Sequence, residues 1–166
     1  MPPLEALLAA GHVVVAAGGG GISVAAGPDG TLRGVEAVVD KDATSALLAA
    51  ALGADELIVT TGVDRIALDW GTSHHRELPR LDTDEAHRHL ATGQFPEGSM
   101  GPKVRAALDF LAAGGGSVLV TSPEALGRAL RGRSGTRIVP APHRVNSPSR
   151  NGTSSRPVRN TPAADS

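Results

Sequence analysis

The chain has no cysteine and no tyrosine, and its only aromatic residues are Trp70, Phe95 and Phe110. Without thiols, disulfides, thiolate metal sites and cysteine redox chemistry are excluded, and a reducing compartment is compatible with the composition. With so few rings, a core has to be assembled from Val, Leu, Ile and Ala, the material of buried parallel strands and packed helices, which favours α/β over an all-β sandwich. Net charge is also scarce: a formal −1 at pH 7 over 166 residues gives no electrostatic footprint for nucleic acid. No apolar run reaches the roughly eighteen residues of a membrane helix. The opening Met-Pro-Pro-Leu-Glu-Ala-Leu-Leu lacks the basic and apolar parts of a signal peptide. The expectation is one soluble, cytoplasmic domain with neither nucleic acid nor membrane as partner.

Lysine is the other scarcity. Of sixteen basic side chains only Lys41 and Lys103 are lysine, and the rest are arginine. Both stand in marked motifs, Val38-Val39-Asp40-Lys41-Asp42 and Gly98-Ser99-Met100-Gly101-Pro102-Lys103. A compact ammonium on a flexible stem can follow a phosphoryl group as it moves, which a planar guanidinium fork does less well. Chance in an arginine-biased composition accounts for either lysine alone; the two together carry more weight.

The pattern along the chain alternates strands and helices. Residues 3–10 read as a short helix ended by Gly11, and His12 to Ala17 as a strand feeding four glycines, Gly18, Gly19, Gly20 and Gly21. Ile22–Ala26 and Thr31–Val35 flank Gly27-Pro28-Asp29-Gly30 and predict a hairpin outside the main sheet. A helix then opens at Asp42 with Leu47, Leu48 and Leu52 on one face and ends at Gly53, followed by a buried strand over 57–61. From Val63 to Pro79 the pattern weakens, until Asp82 and Glu85 form a capping box before a further helix. Ser99 caps the next, with Val104, Ala107, Leu108 and Leu111 as its apolar stripe. A strand over 118–121, a helix from Ser122 to about Leu130 and a short strand over 137–139 complete the order. Such alternation implies an open, mainly parallel sheet covered by helices. Residues 1–140 form the domain, and 141–166, rich in Pro, Ser and Arg, are expected to be a disordered tail.

A glycine run after a buried strand lets backbone N–H groups approach phosphate oxygens, although a plain tight turn reads the same. Gly18 to Gly21 does not fit the dinucleotide fingerprint, and Gly101-Pro102-Lys103 does not fit a P-loop. Asp40-Lys41-Asp42 at a helix start is either a solvated cap or a cation placed to neutralise a transferring phosphoryl group. Ser99 to Lys103 offers helix-end N–H groups with an ammonium within one turn, an anion site in outline. His74, His75, His87 and His89 lack zinc spacing and are read as surface residues, with no metal site.

Taken in order, Val15 to Gly21, Gly34 to Asp42, Gly98 to Lys103 and Gly135-Thr136-Arg137-Ile138 resemble carbamate kinase, a member of the amino acid kinase superfamily, over about residues 4–140. The resemblance implies the amino acid kinase type of α/β sheet and a phosphotransferase moving phosphate between carbamoyl phosphate and MgADP to give ATP and carbamate, with Mg2+ held mainly by the nucleotide. It implies Lys41, Lys103 and Asp42 as the catalytic charges and Gly18, Gly19, Gly20 and Gly21 beside the phosphates. Thr60, Thr61, Gly62 and Val63, with Trp70, Ser99 and Met100, would line the nucleotide pocket. Where many members read Thr-Asp-Val this chain has Thr61-Gly62-Val63, with Asp64 close by; that form resembles a branch tied to ureide or oxamate breakdown rather than arginine catabolism. Members are about twice as long, and their Gly-Gly-Asn-Ala and His-Gly-Asn-Gly-Pro motifs for the acyl phosphate do not occur here. The chain thus resembles the C-terminal, nucleotide-binding half, expected to turn over weakly or not at all alone. Either a homodimer or pairing with the absent N-terminal half is open, as is a noncatalytic partner half or a gene fragment.

Overall fold

The computed structural model describes residues 2–142. The elements run α1 (Pro2–Ala9), β1 (Val24–Ala26), β2 (Leu32–Gly34), α2 (Lys41–Ala51), β3 (Glu56–Thr60), β4 (Ile66–Leu68), β5 (Arg76–Leu78), β6 (Arg80–Asp82), α3 (Thr83–Ala91), α4 (Met100–Ala112), β7 (Ser117–Thr121), α5 (Leu126–Ala129) and β8 (Thr136–Val139). The expected tail lies, from residue 143, outside the described residues.

The main sheet has the order β3-β7-β8-β6. β3 with β7 and β6 with β8 are parallel, while β7 and β8 are antiparallel. The α/β architecture expected from the sequence is therefore present, as a mixed, mostly parallel sheet. Between β7 and β8 the chain forms only α5, a single turn, and the two strands run antiparallel. The Ser122 Oγ accepts the Ala125 N–H at 3.0 Å ahead of α5, whose N-cap is Ala125, without a side-chain cap bond.

One face of the sheet carries Leu57, Val59, Val118, Val120, Ile138 and Leu81 into a core closed by the helices, with Ala46 of α2, Ala86 of α3 and Val104, Ala107, Phe110 and Leu111 of α4. Burying a side chain such as Phe110 contributes about 1.5–3 kcal/mol. α3 starts at the expected capping box: Asp82 accepts the Glu85 N–H at 2.8 Å and Glu85 accepts the Asp82 N–H at 3.0 Å.

Three expectations change. The leucine face of α2 is not its core face: the helix packs on α4 through Ala46, Ala49 and Ala50, whose small side chains permit close approach, and Leu47 is 73% exposed. Residues 12–17 form no strand; Val13 and Val15 are 98% and 96% exposed, because β1 and β2 pair only with each other and nothing else in the described chain offers a neighbour to satisfy that backbone. The stretch 63–79, where the weakened pattern predicts no element, is structured. It holds the antiparallel pair β4-β5 and leads through Pro79 into β6, which joins the main sheet.

Candidate functional site

The first turn of α2 is organised by its acidic residues. Asp40 is the N-cap, accepting the N–H groups of Asp42 and Ala43 at 2.9 Å each. These bonds, the one from Ala43 foremost, outweigh partial desolvation and, helped by the charges of Lys41 and Lys103, hold its carboxyl below the ordinary aspartate range. Asp42, in the same first turn, is buried and takes a bond from Lys103 Nζ at 2.8 Å, with Lys41 Nζ at 3.9 Å. One carboxylate thus sits between two ammonium groups. Lys103 is buried with it, whereas the Lys41 side chain is 65% exposed and free to reach a ligand.

Gly20 lodges against the same turn. Its φ of 138° is a backbone state that favours glycine, and a Cβ there would run into the Val39 carbonyl. Thr44 Oγ1 donates to the Gly20 carbonyl at 2.7 Å. Gly18, Gly19 and Gly21 are exposed around that anchor. The glycine loop, Lys41, Asp42 and Lys103 are thereby gathered at one place, although the strand expected to feed the loop is absent.

A cavity of about 300 Å³ lies beside the C-terminal ends of β3 and β4, where ligands collect in open α/β sheets. Thr61, Gly62, Val63, Trp70, Ser99 and Met100 line it. Thr60 does not: it ends β3 as an exposed residue. Ser99 and Met100 start the helix that carries Lys103 one turn later, so α4 joins the cavity to the charge cluster. Its N-terminus offers fewer free N–H groups than the sequence suggested, since Pro96 O accepts from Ser99 and Gly101 and Pro102 has none to give. Positive charge there comes from the lysines instead.

Trp70 stands at the cavity mouth, 58% exposed and 5.0 Å from the His75 ring. It is aimed by Asp69, whose φ of 51° is the left-handed state that aspartate tolerates better than most residues; Gln94 Oε1 accepts the Asp69 N–H at 2.9 Å. His89 packs edge-on to Phe95. Gln94, Phe95, Pro96, Ala67 and Arg65 are wall residues that sequence reasoning missed. Their one visible signal was the Gln-Phe-Pro break between two capped helices. Asp64, close in sequence to the carboxylate missing at Gly62, is engaged elsewhere: it accepts from Ser122 Oγ and from Arg128 at 3.1 Å and is not on the cavity wall.

A cavity at the carboxyl ends of the strands thus adjoins a glycine loop and two lysines at neighbouring helix starts. The chain belongs to the amino acid kinase family, whose pattern it matches over residues 1–122. Within that family it is similar to carbamate kinases. It is 50% identical over 136 residues to carbamate kinase from Staphylococcus haemolyticus, covering 81% of this chain and 44% of that protein. It is 45% identical over 138 residues to the carbamate kinase-like protein YahI of Escherichia coli, covering 83% and 44%. The structure of carbamate kinase from Giardia lamblia bound to AMP-PNP superposes with a TM-score of 0.79 at 34% identity, covering 84% of this chain and 44% of that one. The chain therefore spans less than half the length of these relatives.

Proposed function

We propose that this chain is the nucleotide-binding half of a carbamate kinase-like phosphotransferase. It binds MgADP or MgATP, and with an acyl-phosphate-binding half it transfers phosphate between carbamoyl phosphate and ADP, giving ATP and carbamate. The observation that carries the reading is the Lys41-Asp42-Lys103 cluster, beside a glycine loop and linked through one helix turn to a mostly apolar cavity. Trp70 at the mouth offers a face for a planar base. Asp42 fixes Lys103 in place, so that an ammonium is preorganised toward developing phosphoryl charge, and the exposed Lys41 supplies a second, mobile one. Magnesium accompanies the nucleotide's phosphates, as this hard cation prefers; no group of three potential ligand side chains competes for it among the described residues.

The structural relative with AMP-PNP and the carbamate kinase relatives support nucleotide handling. A cytoplasmic location fits the absence of any helix long and apolar enough to cross a membrane among the described residues. The chain by itself turns over weakly or not at all, because orienting both reactants supplies much of a phosphoryl-transfer rate. A second reading, a noncatalytic nucleotide-binding partner half, is favoured by the exposed apolar side chains of residues 13–38.

Calorimetric titration of MgADP and MgATP into the chain, beside Lys41→Ala, tests the reading. Binding weakened about tenfold or more in the variant is the expected result, and no binding by a folded sample overturns it. Turnover of carbamoyl phosphate on adding a separately expressed first half separates the split kinase from the noncatalytic partner.

A further inference from the structure

The face of the main sheet turned away from α2 and α4 carries an arrangement that nucleotide binding does not use. Register places Leu119, Arg137 and Arg80 side by side on β7, β8 and β6. Their chain neighbours Val118, Ile138 and Leu81 belong to the core, so alternation puts these three on the opposite face. Two like charges directly across adjacent strands repel. Arg137 is partly neutralised, since its guanidinium reaches Glu56 and donates to Ser117 Oγ at 3.1 Å. Arg80 is exposed and makes no ion pair among the described residues.

Both arginines line a cavity of about 220 Å³ whose rim is the turn through Gly132, Ser134 and Gly135. A third guanidinium lines it too: Arg65 donates from Nε to the Gly135 carbonyl and from Nη1 to Glu77, each at 3.3 Å. The turn also bears Arg131 and Arg133, exposed and without ion pairs among the described residues, but neither lines the cavity. The carboxylates in reach, Glu56 and Glu77, are each already engaged by one guanidinium. Positive charge is therefore left over, concentrated in a concave site and not offset by the fold.

We propose that this cavity is a second anion site, separate from the nucleotide cavity, for a compact phosphate-bearing small molecule. Guanidinium forks match phosphate oxygens two at a time, and a bound polyvalent anion removes the repulsion between Arg80 and Arg137. The inference rests on no part of the kinase reading. Arg65 forms part of both cavity walls, so Arg80, which touches only this one, is the residue to change.

Pyrophosphate serves as the probe, titrated calorimetrically into the whole chain carrying Lys41→Ala, which weakens the phosphate end of the nucleotide site. Binding is expected to persist there, to weaken about tenfold when Arg80→Gln is added, and to weaken further with rising salt. Arg80→Glu, which sets a carboxylate opposite Arg137, is expected to abolish it. Arg80 is exposed and unpaired, so both variants should keep the parent's circular dichroism, and that is checked first. Equal binding with and without Arg80, or no binding by the folded Lys41→Ala protein, overturns the site. Loss of MgADP binding alone overturns only the nucleotide assignment.

Discussion

Residues 2–39 and 40–142 draw on the same aliphatic side chains, yet in the first stretch only Gly20 is buried, while the second holds the entire core. The contrast shows what apolar composition does without a partner. Val13, Val15, Ile22 and Val38 are as hydrophobic as Val104 or Val118, but no strand or helix of the described chain faces them. What attaches the first stretch is local: the Thr44 hydroxyl on the Gly20 carbonyl, and an open apolar hollow where Leu4, Ala16 and Ala17 meet Leu47 and Leu48. Among the described residues the outer edge of β3 is likewise unpaired. Exposed apolar surface and a bare strand edge are features that folded proteins otherwise cover or blunt.

Substitutions can break or sharpen this contrast. In the packed region, Phe110→Ala is expected to cost about 3–5 kcal/mol, read from the urea midpoint. Lys103→Met comes next, at roughly 3 kcal/mol, because it strips the buried Asp42 of its close partner. Adding Asp42→Leu should restore much of that stability but not nucleotide binding, which separates the pair's structural role from its chemical one. Asp40→Ala, at the border between the regions, should cost about 1 kcal/mol through the lost cap. The folded Asp40 carboxyl titrates below its unfolded value, chiefly because of the Ala43 N–H, so its contribution is present above about pH 4 and is lost as pH falls below that. Stability curves of wild type and variant should therefore converge in acid; parallel curves would sink the cap argument. Smallest of all, Val13→Ser should change stability by less than about 0.5 kcal/mol. A loss of 2 kcal/mol or so would mean that the first stretch is packed after all.

How far the sequence foretold this structure depended on whether the signal was local. Asp82 and Glu85, Gly27-Pro28-Asp29-Gly30 and the α4 stripe depend on neighbours within a few residues, and each produced its element, while Ser99 holds the N-cap position of α4 without a side-chain cap bond. β4, β5 and β6 are three residues each, too short for a two-residue period to show, and they exist because distant strands pair with them or with each other. The reverse error, at 12–17, has the same cause, a strong strand pattern without a neighbour. At the site, the two lysine motifs were visible as departures from an arginine-rich background. The Asp42-Lys103 contact spans 61 positions, and only the fold revealed that one carboxylate holds two ammonium groups rather than one ammonium two carboxylates. Gln94, Phe95 and Arg65 carry no motif and reach the cavity through the turns that bear them.

The last strand in sequence is not the last in space. β8 lies inside the sheet, and β6 has no other neighbour. Thr136, its first residue, receives the Ile66 N–H on its hydroxyl at 2.8 Å and donates to the Leu78 carbonyl, fastening the β4-β5 pair that leads to Trp70. A polypeptide emerging from the ribosome therefore carries every wall residue of the cavity before it carries the wedge that sets them. Until residues 136–139 arrive, β6 waits unpaired, and a nascent chain stopped short of Thr136 holds all the parts of the pocket but not its shape.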